Sequence, residues 1–157
     1  MAKELKEGLK APVFKLPTDG GGIAQLKDYA GRKLVLYFYP KDDTSGCTKQ
    51  AIGFTEHADA FDAAGASILG VSKDSVAKHD KFKAKHDLAI TLVSDEEGVV
   101  LEKYGVWVEK SMYGKKYMGI ERTTVLIDAA GKIQKIWRKV RVPGHVEDVL
   151  SAVENLG

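Results

Sequence analysis

Six consecutive apolar and aromatic residues, Leu34 to Tyr39 (LVLYFY), constrain the fold more than any other feature of this chain. A strand with one wet face alternates apolar and polar side chains, whereas an unbroken run belongs to a strand buried on both faces. The rest of the chain must therefore cover a sheet on both sides. Further strands follow from composition. Ala66 to Val71 (ASILGV) forms a second, ended by Ser72, Ala89 to Val93 a weaker third, and the β-branched Thr123 to Ile127 (TTVLI) a fourth. The turn signal Asp128-Ala129-Ala130-Gly131 leads into Lys132 to Arg138, where Ile133 alternates with charge. That pair reads as a hairpin whose second strand lies near an edge.

Helical periods separate these strands. Ala51, Phe54, Ala58 and Phe61 share one stripe, and Gly65 closes that run as a C-terminal cap. Asp74-Ser75 opens a helix reaching His86 with a thin apolar face. A short helix runs from Glu97 to Tyr104 and ends at Gly105. Val146, Val149, Leu150, Val153 and Leu156 form the cleanest stripe, after Pro143-Gly144. Gly20-Gly21-Gly22 reads as a tight turn rather than a phosphate loop, because no Gly-Lys-Ser/Thr follows. Alternating strands and helices with a late hairpin predict an α/β fold: a mixed central β-sheet of about five strands flanked by helices, with small N-terminal additions. The 157 residues suit one domain spanning 1–157, long enough to bury a core without staples.

Charge excludes several classes of partner. With 24 Lys+Arg against 22 Asp+Glu the net charge is +2, which argues against nucleic acid and against an anionic membrane. The strip Arg138, Lys139 and Arg141 reads as a solvated strand face. No apolar run approaches the roughly 18 residues of a membrane span, and MAKELKEGLKAP lacks the apolar core of a secretory signal. The four histidines, His57, His79, His86 and His145, show no metal-ligand spacing and read as surface residues. Trp107 and Tyr113 flank a charged loop and serve either a pocket rim or the core, while Met112 and Met118 read as gap-fillers. No cofactor motif is present in the sequence.

A single cysteine, Cys47, excludes an internal disulfide, a C-x-x-C pair and a multi-cysteine zinc site. Its occurrence without a signal peptide points to the reducing cytoplasm. Ligand chemistry in such sheets sits beyond the carboxyl ends of the strands. There the sequence reads Tyr39-Pro40-Lys41-Asp42-Asp43-Thr44-Ser45-Gly46-Cys47, joining the most buried strand to a helix. The first helical turn offers unpaired N–H groups and a positive dipole end, which favour thiolate over thiol. With Gly46 and Thr48 as flanks, no apolar neighbour in sequence marks Cys47 as a core residue. Thr44, three residues earlier, can turn its hydroxyl to the sulfur, to donate to a thiolate or to accept from a substrate. Pro40 can wall a pocket without offering an N–H, and Lys41 beside Asp42 and Asp43 reads as solvated.

Pro40, Thr44 and Cys47 match the P-x-x-x-T-x-x-C signature of the peroxiredoxins, and YFYPKDDTSGCTKQAIGF resembles their peroxiredoxin Q, or bacterioferritin comigratory protein, branch. Ala11-Pro12 with Phe14-Lys15-Leu16, Ser94-Asp95, Tyr104-Gly105-Val106 and the stretch Tyr113 to Thr123 extend the resemblance over nearly the whole chain. It implies a thioredoxin-like fold and reduction of hydrogen peroxide and organic hydroperoxides. Cys47 corresponds to the attacking cysteine, Thr44 and Arg122 to the residues that hold thiolate and peroxide oxygens, and Pro40 to the pocket proline. Without the resemblance, Arg122 at a strand entrance would read as a surface residue.

The sequence also departs from that branch. Ile52 occupies the position where a second, resolving cysteine is common, and the alternative position near Lys83 holds none either. The expected cycle uses one cysteine and an external thiol reductant: thioredoxin, glutaredoxin or glutathione. Ser45 stands where proline is common and Gln50 where glutamate is common. The branch is often monomeric, so a monomer is expected. The competing class is a peroxide-sensing redox module that uses Cys47 without steady turnover.

Overall fold

A computed structural model describes residues 5–156. Along the chain the elements are β1 (Lys15–Pro17), β2 (Ile23–Gln25), β3 (Lys33–Phe38), α1 (Ser45–Glu56), α2 (Ala58–Ala63), β4 (Ala66–Ser72) and α3 (Val76–His86). There follow β5 (Thr91–Ser94), α4 (Val99–Lys103), β6 (Trp107–Met112), β7 (Lys115–Ile120), β8 (Thr123–Ile127), β9 (Ile133–Trp137) and α5 (His145–Asn155). The central sheet has the order β5-β4-β3-β8-β9. Strand β3 lies at its middle, parallel to β4 and antiparallel to β8, and β5 and β9 form the two edges.

Both faces of β3 are covered, as its unbroken apolar run requires: Leu34 to Tyr39 are each at most 1% exposed. Alternate residues enter two separate cores. Leu34, Leu36 and Phe38 join Val100 and Leu101 of α4, Tyr104 just after it, and the N-terminal segment through Phe14 and Ala24. Val35, Tyr37 and Tyr39 join α1, α2, α3 and α5 through Ala51, Phe54, Phe61, Phe82 and Val149. This is the mixed, helix-flanked sheet of a thioredoxin-like fold. It aims the segment after β3, which begins at Pro40, beyond the end of the central strand.

Local chemistry explains the boundaries. Ser75 caps α3 by accepting from the Lys78 N–H at 3.2 Å. Gly65 follows α2 with φ +81°, a conformation glycine adopts without strain. The single stripe from Ala51 to Phe61 is broken into two helices at His57, whose ring nitrogen Nδ1 lies 2.9 Å from the Gly53 carbonyl oxygen. The weak third strand lies two residues later than expected at its start, at Thr91.

Larger corrections fall elsewhere. The charged loop before Arg122 is a ribbon, β6 paired antiparallel to β7. Most of its residues are exposed on both sides, so no apolar alternation announces it. Its turn is Tyr113-Gly114, with φ 52° and 76° and Met112 opposite Lys115, as a two-residue hairpin turn requires. Met112, Tyr113 and Met118 are exposed rather than core-filling. Conversely, His79 and His145 are buried rather than on the surface.

Candidate active site

Cys47 is the third residue of α1. The first intrahelical bond of α1 runs from the Thr48 N–H to the Thr44 carbonyl, 2.8 Å, so the N–H groups of Ser45, Gly46 and Cys47 have no carbonyl within the helix. The positive end of the helix dipole falls on the same spot. The cysteine itself is only 1% exposed and lies among Val35, Tyr37, Tyr39, Ala51 and Phe54. That corrects the reading from its polar flanks: the stripe of Ala51 and Phe54 extends back one turn to Cys47. Its sulfur meets one charged group. Arg122, in the short connection between β7 and β8, reaches across so that Nη2 lies 3.3 Å from Sγ.

Three residues shape the position of that guanidinium. Gln50, one turn after Cys47 and fully buried, accepts from Arg122 Nη1 through Oε1 at 2.7 Å. Gly46 lies against it, since a Cβ there would stand 3.1 Å from Nη2. Val140 donates its N–H to the Arg122 carbonyl at 2.9 Å, which fixes the backbone. Two buried polar atoms, Tyr37 Oη and Gln50 Nε2, have no hydrogen-bond partner among the described residues. Burial, then the neighbouring Cys47 and Asp42 charges, holds the Tyr37 phenol well above its usual range, so it stays protonated. Gly70 leaves the room this ring needs, because a Cβ would meet its oxygen at 2.7 Å.

Thr44 caps α1 in an extended conformation and is exposed. Its hydroxyl donates to the Lys41 carbonyl at 2.8 Å, so it presents lone pairs, not a proton, to its other neighbours. Pro40 ends the central strand half-buried and borders a cleft of about 570 Å³ between this loop and the β6–β7 ribbon. The structure thus brings Cys47 and Arg122 into contact, with Thr44 at the N-cap position of the same helix and Pro40 lining the neighbouring cleft. Lys41 is exposed, as expected.

The sequence reading missed what holds the loop. Asp42 drew no reading of its own beyond its place beside solvated Lys41. Its carboxylate accepts from the Tyr39 hydroxyl and from Nδ1 of buried His79 at 2.6 Å. His79 Nε2 donates to the Val93 carbonyl at 2.9 Å. With both ring nitrogens donating, His79 is an imidazolium. Burial alone would lower its pKa, but the hydrogen bond and charge of Asp42 outweigh that and raise it. The Asp42 N–H is bound to Asp74 Oδ2 at 2.8 Å, and Asp74 is held by Ser72. Asp43, at φ 61°, accepts from Lys85 and His86 at the end of α3, which lowers its carboxyl pKa. An Asp-Asp pair beside a Pro-ended strand was the signal that something folded back onto it. Among the described residues, no cluster of three His, Cys, Asp or Glu side chains is arranged to hold a metal.

The chain as a whole is similar to known proteins of one family. Residues 8–136 match the AhpC/TSA family. A putative peroxiredoxin bcp of Coxiella burnetii is 53% identical over 146 residues, covering 93% of this chain and 97% of the relative. Peroxiredoxin Bcp of Bacillus subtilis is 47% identical, covering 95% of each. The solved structure of the Xanthomonas campestris bacterioferritin comigratory protein, described for its alkyl peroxide reduction activity, superposes with a TM-score of 0.90 at 43% identity. It covers 96% of this chain and 99% of that one.

Proposed function

The chain belongs to the AhpC/TSA family, and from that premise we propose that Cys47 is the nucleophile and Arg122 the fixed cation of a peroxide-reducing site. The protein is a thiol-dependent peroxidase. The observation that carries the residue assignment is the 3.3 Å approach of Arg122 Nη2 to the Cys47 sulfur, with Nη1 held by Gln50 at 2.7 Å. The thiolate attacks one oxygen of the O–O bond. The other oxygen leaves with the bonding pair, takes a proton and departs as water or an alcohol, and Cys47 becomes a sulfenic acid. Negative charge moves from sulfur to oxygen in this step. A donor already in place stabilises that charge without reorganising, and an arginine keeps its own proton throughout. Thr44, whose hydroxyl proton is directed at Lys41, offers its oxygen to a peroxide hydroxyl, and Pro40 borders the approach.

Resolution takes an external thiol, because the sequence holds one cysteine. The positions where a second is common are Ile52 and the neighbourhood of Lys83, which is paired with Asp19 at 2.8 Å. The reductant is thioredoxin, glutaredoxin or glutathione, and a thiol-rich reducing compartment such as the cytoplasm suits the cycle. No helix of the described residues is long and apolar enough to cross a membrane. Pro40, Thr44, Cys47 and Arg122 come from one chain, which supports action as a monomer.

Intact mass spectrometry after one equivalent of peroxide tests the cycle. The expected products are a sulfenic or sulfinic adduct without thiol and a mixed disulfide with glutathione. A predominant covalent dimer in both samples would overturn it. Steady peroxide consumption with a thiol separates the enzyme from a sensing module, which the family membership does not favour.

A further inference from the structure

The cleft beside Pro40 carries a charge pattern that the reduction of a neutral peroxide does not use. Lys41, Lys73, Lys78 and Lys110 surround it, with Trp107 and Met118 among its apolar residues. Among the described residues none of these four lysines makes an ion pair, whereas Lys83 and Lys85 on the neighbouring helix are both paired. Lys73 is held over the Trp107 ring at 4.6 Å. Of the two carboxylates in the lining, Asp74 is spent on Ser72 and the Asp42 N–H, which leaves Glu96. Lys110 is half-buried, and burial together with the Arg122 charge lowers its pKa, while Glu121 and then Cys47 act in the opposite sense. Lysines thus outnumber carboxylates around the cleft, Glu96 being the one acid of its lining without a partner here, and Lys110 ties this wall to the neighbouring Cys47. Such an arrangement opposes folding and favours an anionic visitor.

We propose that this cleft binds an anionic low-molecular-weight thiol through its carboxylates and delivers it to oxidised Cys47. The proposal rests on the one-cysteine reading above, and it selects the class of reductant. Each turnover consumes two thiols and one neutral peroxide, so the charged wall serves the thiol. A cleft of this size suits a small molecule. A protein reductant would need about 800 Å² of matching face instead. The nearby ammonium groups also favour the thiolate of the incoming molecule. That thiolate attacks the Cys47 sulfur, an S–S bond forms, and the S–O bond breaks. The departing hydroxide takes up the proton the thiol released and leaves as water. A second thiolate attacks the mixed disulfide, restores Cys47 and carries away the oxidised thiol as its own disulfide.

The test is a single-turnover charge series. The protein is treated with one equivalent of hydrogen peroxide and checked by mass for one added oxygen on Cys47. Decay of that species is then timed with glutathione (anionic), 2-mercaptoethanol (neutral) and cysteamine (cationic), with rates expressed per thiolate. Glutathione should exceed cysteamine by about tenfold or more, and high salt should close the gap. Lys41→Glu/Lys78→Glu should close it too, and S-methylglutathione should slow the glutathione reaction by competition. Equal rates across the series would overturn the proposal and leave the peroxidase cycle standing. So would a charge preference found only between carboxylate-bearing and neutral hydroperoxides, which would assign the cleft to the oxidant. Failure to form the oxygen adduct would refute the one-cysteine reading, and the proposal with it.

Discussion

Arg122 and Gly46 act on the same few ångströms, and substitutions there separate catalysis from folding. Arg122→Ala removes the donor 3.3 Å from Cys47 and leaves the Gln50 amide without its partner. Peroxide attack should slow by about a hundredfold, the scale of one lost oxyanion donor. Stopped-flow fluorescence with excess peroxide measures it, and an unchanged rate would remove Arg122 from the site. Gly46→Ala has opposite effects on the two properties. Within a helix, alanine in place of glycine stabilises by about 0.5–1 kcal/mol. Yet the new Cβ would stand 3.1 Å from Arg122 Nη2 and force the guanidinium aside. The variant should melt at equal or higher urea and turn over peroxide more slowly. A slower enzyme that is also less stable would point to general disruption.

At the scale of elements, the loop from Pro40 to Thr44 is held on both sides by buried polar groups rather than by its own turn. Asp42 joins Tyr39 at the end of the central strand to His79 on α3, and His79 joins Val93 on β5. Asp42→Ala would remove the charge that keeps the proton on buried His79, leaving a neutral ring whose Nδ1 has lost its partner in the core. Leaving buried polar groups unsatisfied in this way costs about 1–3 kcal/mol, and the loss should appear in urea unfolding together with faster alkylation of Cys47. Little of this was legible beforehand. Strands β3, β4 and β8 and helices α3 and α5 could be read because apolar spacing encodes burial. His79 could not, because its partner Asp42 lies 37 positions away and looks like a surface acid in its own neighbourhood. The β6–β7 ribbon was hidden for the converse reason: its side chains face water, so only the Tyr113-Gly114 turn betrays it. Of the candidate site, Cys47 and Pro40 were readable from position. Arg122 was readable only by family resemblance, since the chain separation of 75 residues carries no local signal.

For the molecule as a whole, two buried histidines set opposite limits on the pH range of stability. His145 begins α5, with Nε2 2.8 Å from Thr124 Oγ1 and its ring edge-on to Phe54 and Trp137. Burial pushes its pKa down to about 4. As pH falls below about 6.5, the unfolded chain protonates this histidine while the folded one refuses the proton until near the lowered value. Stability therefore declines with acid across that window. His79 behaves in the opposite way. Asp42 raises its folded pKa, so its contribution is complete below about 6.5 and is lost as pH rises through the raised value. Alkali thus loosens the attachment of the Cys47 loop to α3, and acid loosens the seat of α5 against the sheet. Urea midpoints measured from about pH 4 to 9 should peak between these limits. His145→Gln, which keeps a partner for Thr124, should flatten the acid limb between about 6.5 and 4. His79→Gln should be less stable throughout and lose the alkaline decline. An acid limb in His145→Gln that runs parallel to that of the unsubstituted protein would assign the loss to carboxylates such as Asp43 and Asp128, whose pKa values the fold lowers.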